Sequence, residues 1–243
     1  VDVGRAAAAV AATRTTSPLL PVLASLDACR RQMALAGDGL LAAAIALAEG
    51  ARRRLRAIPG IEVLDAAAVG LAASRVDPTR LVVDVRRLGL TGTAAERLLR
   101  RSGVAPEMGD LVGVVCLVTI GDTPSSIDRL VAAFAALAAE ARPAGPPADL
   151  ACLRSAGEAI APGHQAMTPR DAFFAPFRAV ALGSAVGAVA AEMVVPYPPG
   201  IPVLLPGEVV TAAKLDYLTN CRGEGMHVRG PADSALRTLR VVA

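Results

Sequence analysis

Between Met193 and Glu208 the chain reads MVVPYPPGIPVLLPGE, five prolines in sixteen residues with Val, Ile and Leu filling the places between them. Proline fixes φ and removes a backbone donor. Pro196, Pro198, Pro199, Pro202 and Pro206 therefore forbid a helix and discourage pairing as a central strand. Each also biases its predecessor toward an extended form. Such a ribbon loses little entropy on ordering, and Gly200 and Gly207 permit sharp turns within it. Val194, Val195, Ile201, Val203, Leu204 and Leu205 are expected to be buried without helical backbone. The polar groups in and beside the ribbon are Glu192, Tyr197 and Glu208.

The remaining chain must supply a core for this ribbon. With 243 residues it can form one large domain or two modest ones. Hydrophobic residues make up 53% and the mean hydropathy is +0.48, which excludes a disordered chain. Aromatics are only 2% and Trp is absent, so Ala, Val and Leu must fill the interior. The net charge of +3, with both signs interleaved, argues for neither nucleic acid nor a membrane surface as partner. The weakly charged run from Ala179 to Val195 carries Glu192 and is too short for a membrane span. Four scattered cysteines (Cys29, Cys116, Cys152, Cys221) and two histidines (His164, His227) form no metal-ligand spacing, so no metal is expected. The sequence shows no signal-peptide pattern, and reduced thiols in a cytoplasmic protein are the expectation. An opening on Val1 instead of Met is expected of a cut or partial chain.

Along the chain, Val1 to Thr13 is Ala-rich and predicted helical, and Thr15-Thr16-Ser17-Pro18 breaks it. Apolar residues from Val22 to about Ile58 recur at spacings of three, four and seven, predicting a long helix that Gly37 and Gly39 bend or split. Strands are predicted near Ile61–Leu64, Leu81–Val85 and Val114–Ile120. One helix opens on Thr93-Ala94-Ala95-Glu96, read as a capping box. Another has Thr123 as N-cap and Pro124 at its first position, with Ile127, Leu130, Val131, Phe134 and Leu137 on its buried face. Helices are thus expected to cover one face of a short sheet. Arg142 to Pro147 is the best boundary, and strands at 203–205 and 238–242 are predicted beyond it. Arg52-Arg53-Arg54 reads as a solvated helix face, Asp84 as a strand-end residue, and Asp122 as a helix-start residue.

On spacing alone little is catalytic: there is no Gly-rich phosphate loop and no helical His-Glu pair. Thr15, Thr16 and Ser17 ahead of a long helix could bond a phosphate or simply cap the helix. Glu192 and Glu208 could pair with a cationic substrate or serve a salt bridge or turn amide, and Tyr197 could pack as a ring with a bonded hydroxyl.

Taken together, an ordered series of blocks goes further. TTSP at Thr15, ASLDACRRQ at Ala24, DPTRLVVDVRRLGLTG at Asp77, VTIGDTPSSIDRLV at Val118, MTPRDAFF at Met167 and AEMVVPYPPGIPVLLPGE at Ala191 resemble the bacterial ornithine/lysine/arginine decarboxylases. These are pyridoxal-phosphate enzymes of the aspartate aminotransferase fold. The resemblance runs from about Val1 to Val210. It implies an α/β chain, in which a small α/β sandwich domain of a fold-type-I enzyme is followed by a C-terminal α+β domain. The end of the large cofactor domain with TTSP would be residues 1–21, the small domain 22–142 and the C-terminal domain 143–243.

The resemblance implies a lyase that removes the α-carboxyl group of arginine, lysine or ornithine, with pyridoxal phosphate as cofactor. Thr16 and Ser17, with Thr15, would hold the cofactor phosphate; Glu192, Glu208 and Tyr197 would lie toward the substrate entrance. The family's Schiff-base lysine follows Ser-x-His, and no such motif is present. Lys214, the sole lysine, lies in TAAKLDYL without the preceding His. No catalytic residue is therefore expected in this chain, which alone would be inactive. Its partners would be the missing lysine-bearing large domain or chain, with a dimer or larger assembly and a small amino acid as substrate. Leu19 and Leu20 stand where the family has a Ser or His and then a Tyr. That departure, with the missing lysine, also fits a non-catalytic assembly or regulatory module derived from the family.

Overall fold

The computed structural model describes residues 2–15, 17–67, 70, 72, 76–141 and 157–243. The chain is mixed α/β, with two apolar cores placed one after the other in sequence. Helix α1 (Val3–Thr13) is opened by Asp2, whose carboxylate accepts the Arg5 N–H, and it buries no residue. Helix α2 (Leu20–Arg56) runs unbroken for 37 residues, with Pro21 in its first turn. Of the bend or split expected at Gly37 and Gly39, the split does not occur, since each glycine costs only about 1 kcal/mol of helix propensity. A ladder of this length, anchored by packing at one end, absorbs that cost.

The two ends of α2 live in different surroundings. Ala48, Ala51 and Leu55 are fully buried against the sheet, whereas Leu23, Leu26 and Leu35 are exposed. By length and composition α2 is the one described helix that could cross a membrane. Its last three turns nevertheless sit in a protein core. In the arginine run there, Arg53 and Arg54 are exposed as expected, while Arg52 is half-buried. Arg52 donates to the carbonyls of Pro78 and Arg80, and Arg54 pairs with Asp128 at 2.7 Å. Arg56 donates to the Val63 carbonyl and to Asp65. These guanidiniums tie the helix to the Pro78–Arg80 segment, to Asp128 and to the Val63–Asp65 segment.

The first core surrounds a four-stranded antiparallel sheet of order β1-β2-β4-β3. Its strands are β1 (Glu62–Val63), β2 (Arg80–Asp84), β3 (Met108–Gly109) and β4 (Gly113–Leu117). Register places Leu81 opposite Cys116 and Val83 opposite Val114. Gly113 to Cys116 are buried in succession. Both faces of β4 are therefore covered, beyond the one-face cover expected from the sequence.

Helix α3 (Gly92–Arg101) starts two residues before the expected box. Thr91 is the N-cap and accepts the Ala94 N–H, while Thr93 bonds to the Thr91 hydroxyl. Glu96 does not cap at all: it accepts the Gly109 N–H at 2.8 Å and pairs with Arg100. Helix α4 (Pro124–Glu140) begins as expected, with a capping box between Thr123 and Ser126. It buries Ile127, Leu130, Phe134 and Leu137, with Val131 partly buried beside them. Asp122 accepts from Thr119 and from the Ser126 hydroxyl. Burial pushes its carboxyl up, but those bonds outweigh it and hold the group below its ordinary range.

The second unit begins at residue 157 of the described chain and packs helix α5 (Pro169–Phe174) and α6 (Ala212–Gly223) with two small sheets. Strand β5 (Phe177–Ala181) pairs with β8 (Thr238–Val242), and β6 (Val195–Tyr197) pairs with β7 (His227–Arg229). The strand expected at 203–205 is reduced to a single bridge between Val194 and Leu204. Leu111, in the turn between β3 and β4, is buried with this second core and links it to the first unit. The boundary expected at Arg142 to Pro147 lies outside the described residues.

Phe134 has no exposed surface, so Phe134→Ala should cost about 3–5 kcal/mol, read from urea unfolding of the purified chain. Burial also pushes the Cys116 thiol up to about 12. Iodoacetamide at pH 8 should label the exposed Cys29 and spare Cys116 until denaturant is added, as mapped by peptide mass.

Candidate functional site: the proline ribbon and its buried ion pair

The proline ribbon folds back on itself. Val194 and Leu204 bridge, with the Val194 N–H donating to the Leu204 carbonyl at 3.0 Å and the Val203 N–H to the Val194 carbonyl at 2.9 Å. The peptide bonds at Tyr197-Pro198 and Pro198-Pro199 are cis. Gly200 and Gly207 sit at φ of 84° and 89°, a left-handed backbone that side chains disfavour. Pro196 does pair, opposite Val228, but in a sheet of only two strands where a missing donor can face outward. Val194, Val195, Val203 and Leu204 are buried as expected. Ile201, at the tip, is 45% exposed, and Leu205 is only partly buried.

What holds this loop is a carboxylate at its end. Glu208 is 5% exposed. One of its oxygens accepts the Gly163 N–H; the other accepts the Leu205 N–H and the Lys214 ammonium, each at 3.1 Å. Lys214, in the first turn of α6 and 3% exposed, also donates to the Val203 carbonyl at 2.5 Å. A single buried pair thus ties the ribbon, the segment around Gly163 and α6 together. Charges this deep persist only when paired and hydrogen-bonded: Glu208 accepts three donors, and Lys214 gives two of its N–H groups.

Glu192 is similarly spent. Its two oxygens accept the N–H groups of Ala232 and Arg240, both at 2.8 Å. Of the two roles open to these carboxylates in the sequence, the bonds seen are the structural one: Glu192 satisfies two amides, and Glu208 two amides and a salt bridge to Lys214. Tyr197 is 48% exposed, with the Arg229 guanidinium 4.9 Å from its ring centre. That is a stacked surface ring, where a packed one was expected.

At the other end of the chain, Thr15 and Ser17 are exposed, and the Thr15 hydroxyl accepts the Ser17 N–H at 3.1 Å. Neither caps α2, whose N-cap position is Leu19 without any side-chain bond. Thr16 lies outside the described residues. His164 and His227 are exposed; the His164 carbonyl accepts the Val209 N–H. Among the described residues no group of His, Cys, Asp and Glu could hold a metal ion. Sequence reasoning missed the Glu208–Lys214 pair. The available signal was the sole lysine, six residues after a Pro-Gly-Glu turn and inside an apolar helix.

With this geometry in hand, the matches to known proteins are informative. Residues 156–230 match the family model for the Orn/Lys/Arg decarboxylase C-terminal domain. An arginine decarboxylase of Halalkalibacterium halodurans is 39% identical over 236 residues, covering 94% of this chain and 46% of that protein. One of Bacillus subtilis is 38% identical over 232 residues, with the same two shares. Among solved structures, Escherichia coli constitutive lysine decarboxylase superposes with a TM-score of 0.71 at 17% identity, covering all of this chain and 46% of that one. Lysine decarboxylase A of Pseudomonas aeruginosa gives 0.69 at 21% identity, over 94% of this chain and 43% of that one. The structural likeness establishes a shared fold; the sequence likeness establishes kinship. The chain is similar in sequence to arginine decarboxylases along 94% of its length, and residues 156–230 match the C-terminal domain of the Orn/Lys/Arg decarboxylases. It spans about half the length of the curated relatives it matches.

Lys214→Met would leave the Glu208 charge and the Val203 carbonyl buried without their cation. We expect a loss of about 3–5 kcal/mol, read by urea unfolding. Arg229→Ala, which only uncovers the Tyr197 ring, should cost about 1 kcal/mol or less.

Proposed function

We propose that this chain is the C-terminal part of a pyridoxal-phosphate decarboxylase of basic amino acids, with arginine as the first substrate to test. The observation that carries this reading is the 39% identity to an arginine decarboxylase along 94% of the chain. When bound, pyridoxal phosphate would supply the electron sink that amino acid decarboxylation needs. The residues present fit the cofactor's phosphate better than its aldehyde. Thr15 and Ser17 offer exposed hydroxyls beside the uncapped start of α2. Lys214, by contrast, is buried and bonded to Glu208 and Val203, so its amine cannot serve as the attachment point. The lysine would come from a large domain or partner chain.

The exposed residues Leu19, Leu20, Leu23 and Leu26 offer an apolar surface on which that lysine-bearing part would pack. In such an assembly the chain's own work is positional. The ribbon, locked by Glu208 and Lys214, would present a rigid wall at the substrate entrance and exclude water there. A non-catalytic assembly module is the second reading, favoured by Leu19 and Leu20, which are 69% and 73% exposed and bring no polar group to a cofactor.

The test pairs the purified chain with a polypeptide carrying Ser-x-His-Lys from the same source, adds pyridoxal phosphate, and measures carbon dioxide release from arginine, lysine and ornithine. Release from arginine only in the mixture supports the enzyme. An inert mixture that still forms a stable complex supports the module. For the chain alone, borohydride reduction with pyridoxal phosphate should leave Lys214 unmodified by peptide mass, and a pyridoxyl group there would overturn the assignment of the lysine to another part.

A further inference from the structure

Of the chain's four phenylalanines, only Phe134 is buried. Phe173 is 67% exposed, Phe174 74% and Phe177 51%, and Met193 beside them is 42% exposed. Phe173, Phe177, Met193 and Pro206 line one cavity of about 560 Å³, with Glu192 and Arg240 as its charged members. That volume lies in the range of small-molecule sites, which are mostly apolar with a few placed polar groups.

The two charges are not equivalent. Glu192 is 9% exposed, and its oxygens are occupied by the Ala232 and Arg240 N–H groups. Arg240 is exposed, and its guanidinium lies 4.5 Å from the centre of the Phe177 ring. No carboxylate among the described residues pairs with it. A contact through the ring face uses none of the guanidinium's N–H groups as conventional hydrogen-bond donors, and their fork matches a carboxylate in two parallel bonds. Phe177 also holds the guanidinium in place, so little side-chain entropy remains to be lost on binding.

We propose that this cavity is a binding site for a small organic carboxylate with an apolar or aromatic body, its charge on Arg240 and its body against Phe173, Phe177 and Met193. What the lining favours beyond the carboxylate is an apolar body, since Phe173, Phe177, Met193 and Pro206 offer no free acceptor for a distal cation and the Glu192 oxygens are already bonded. The site rests on this chain's own residues and holds whether or not the decarboxylase reading does.

The test is a titration of the purified chain with 1-naphthoate and, in parallel, with neutral 1-naphthalenemethanol. Probe fluorescence is the readout, and the absence of Trp keeps the background low. The expected result is saturable binding with naphthoate favoured about tenfold or more, as one charge-assisted bond supplies. Arg240→Gln should abolish that preference while leaving the alcohol unchanged. Phe173→Ala, at an exposed position that should not disturb folding, should weaken both probes. Non-saturable binding, equal affinity for the two probes, an unaltered preference in Arg240→Gln, or displacement of naphthoate by equimolar arginine would each overturn the proposal.

Discussion

A carboxylate with no water to turn to organises the C-terminal unit. Glu208 cannot stay charged at 5% exposure unless its oxygens are bonded, and the groups that bond them come from three separated stretches: Gly163, Leu205 and Lys214. Desolvation makes the arrangement all-or-none, because losing one partner strands the others in a low dielectric. Lys214 then reaches the Val203 carbonyl, so the same pair that neutralises the charge also closes the proline ribbon. The ribbon contributes stiffness and the ion pair contributes position. Neither would define the loop alone.

The first unit is held differently. There Ala, Val and Leu pack around a sheet of four short strands, with Phe134 as the one large ring inside. Small side chains let α2 approach the sheet closely, and the arginines at its end fasten it to backbone carbonyls across the gap. The helix then runs far beyond that core. Its N-terminal turns and α1 bury nothing, a cost in solvated apolar surface that folding within this chain does not offset.

Much of this could be read from the residues. Thr123-Pro124 announces a helix start by local chemistry alone, since an N-cap hydroxyl and a fixed φ act within one turn. The long helix, the strands at β2, β4 and β8, and the non-helical ribbon follow from periodicity and proline content. Errors appear where a side chain had two possible partners. Thr93 and Glu96 have capping spacing, yet Thr91 caps and Glu96 reaches Gly109, thirteen residues away. Arg53 and Arg54 are exposed, as a solvated face requires, but Arg52 in the same run turns inward to the carbonyls of Pro78 and Arg80, which are distant in sequence.

The sequence by itself determined the local conformations and the family resemblance. Proline spacing, caps and apolar periods act over a few residues, and the order of the six blocks survives any uncertainty about contacts. Only the tertiary structure decided which charges are free. Glu192 and Glu208 look available for a substrate cation in the sequence; folding commits Glu192 to two amides and Glu208 to two amides and the Lys214 ammonium. Arg240 looks unremarkable, and folding leaves it over the Phe177 ring with no carboxylate partner among the described residues. Burial and hydrogen-bond partnership depend on residues brought together from tens of positions apart, and no local pattern encodes them.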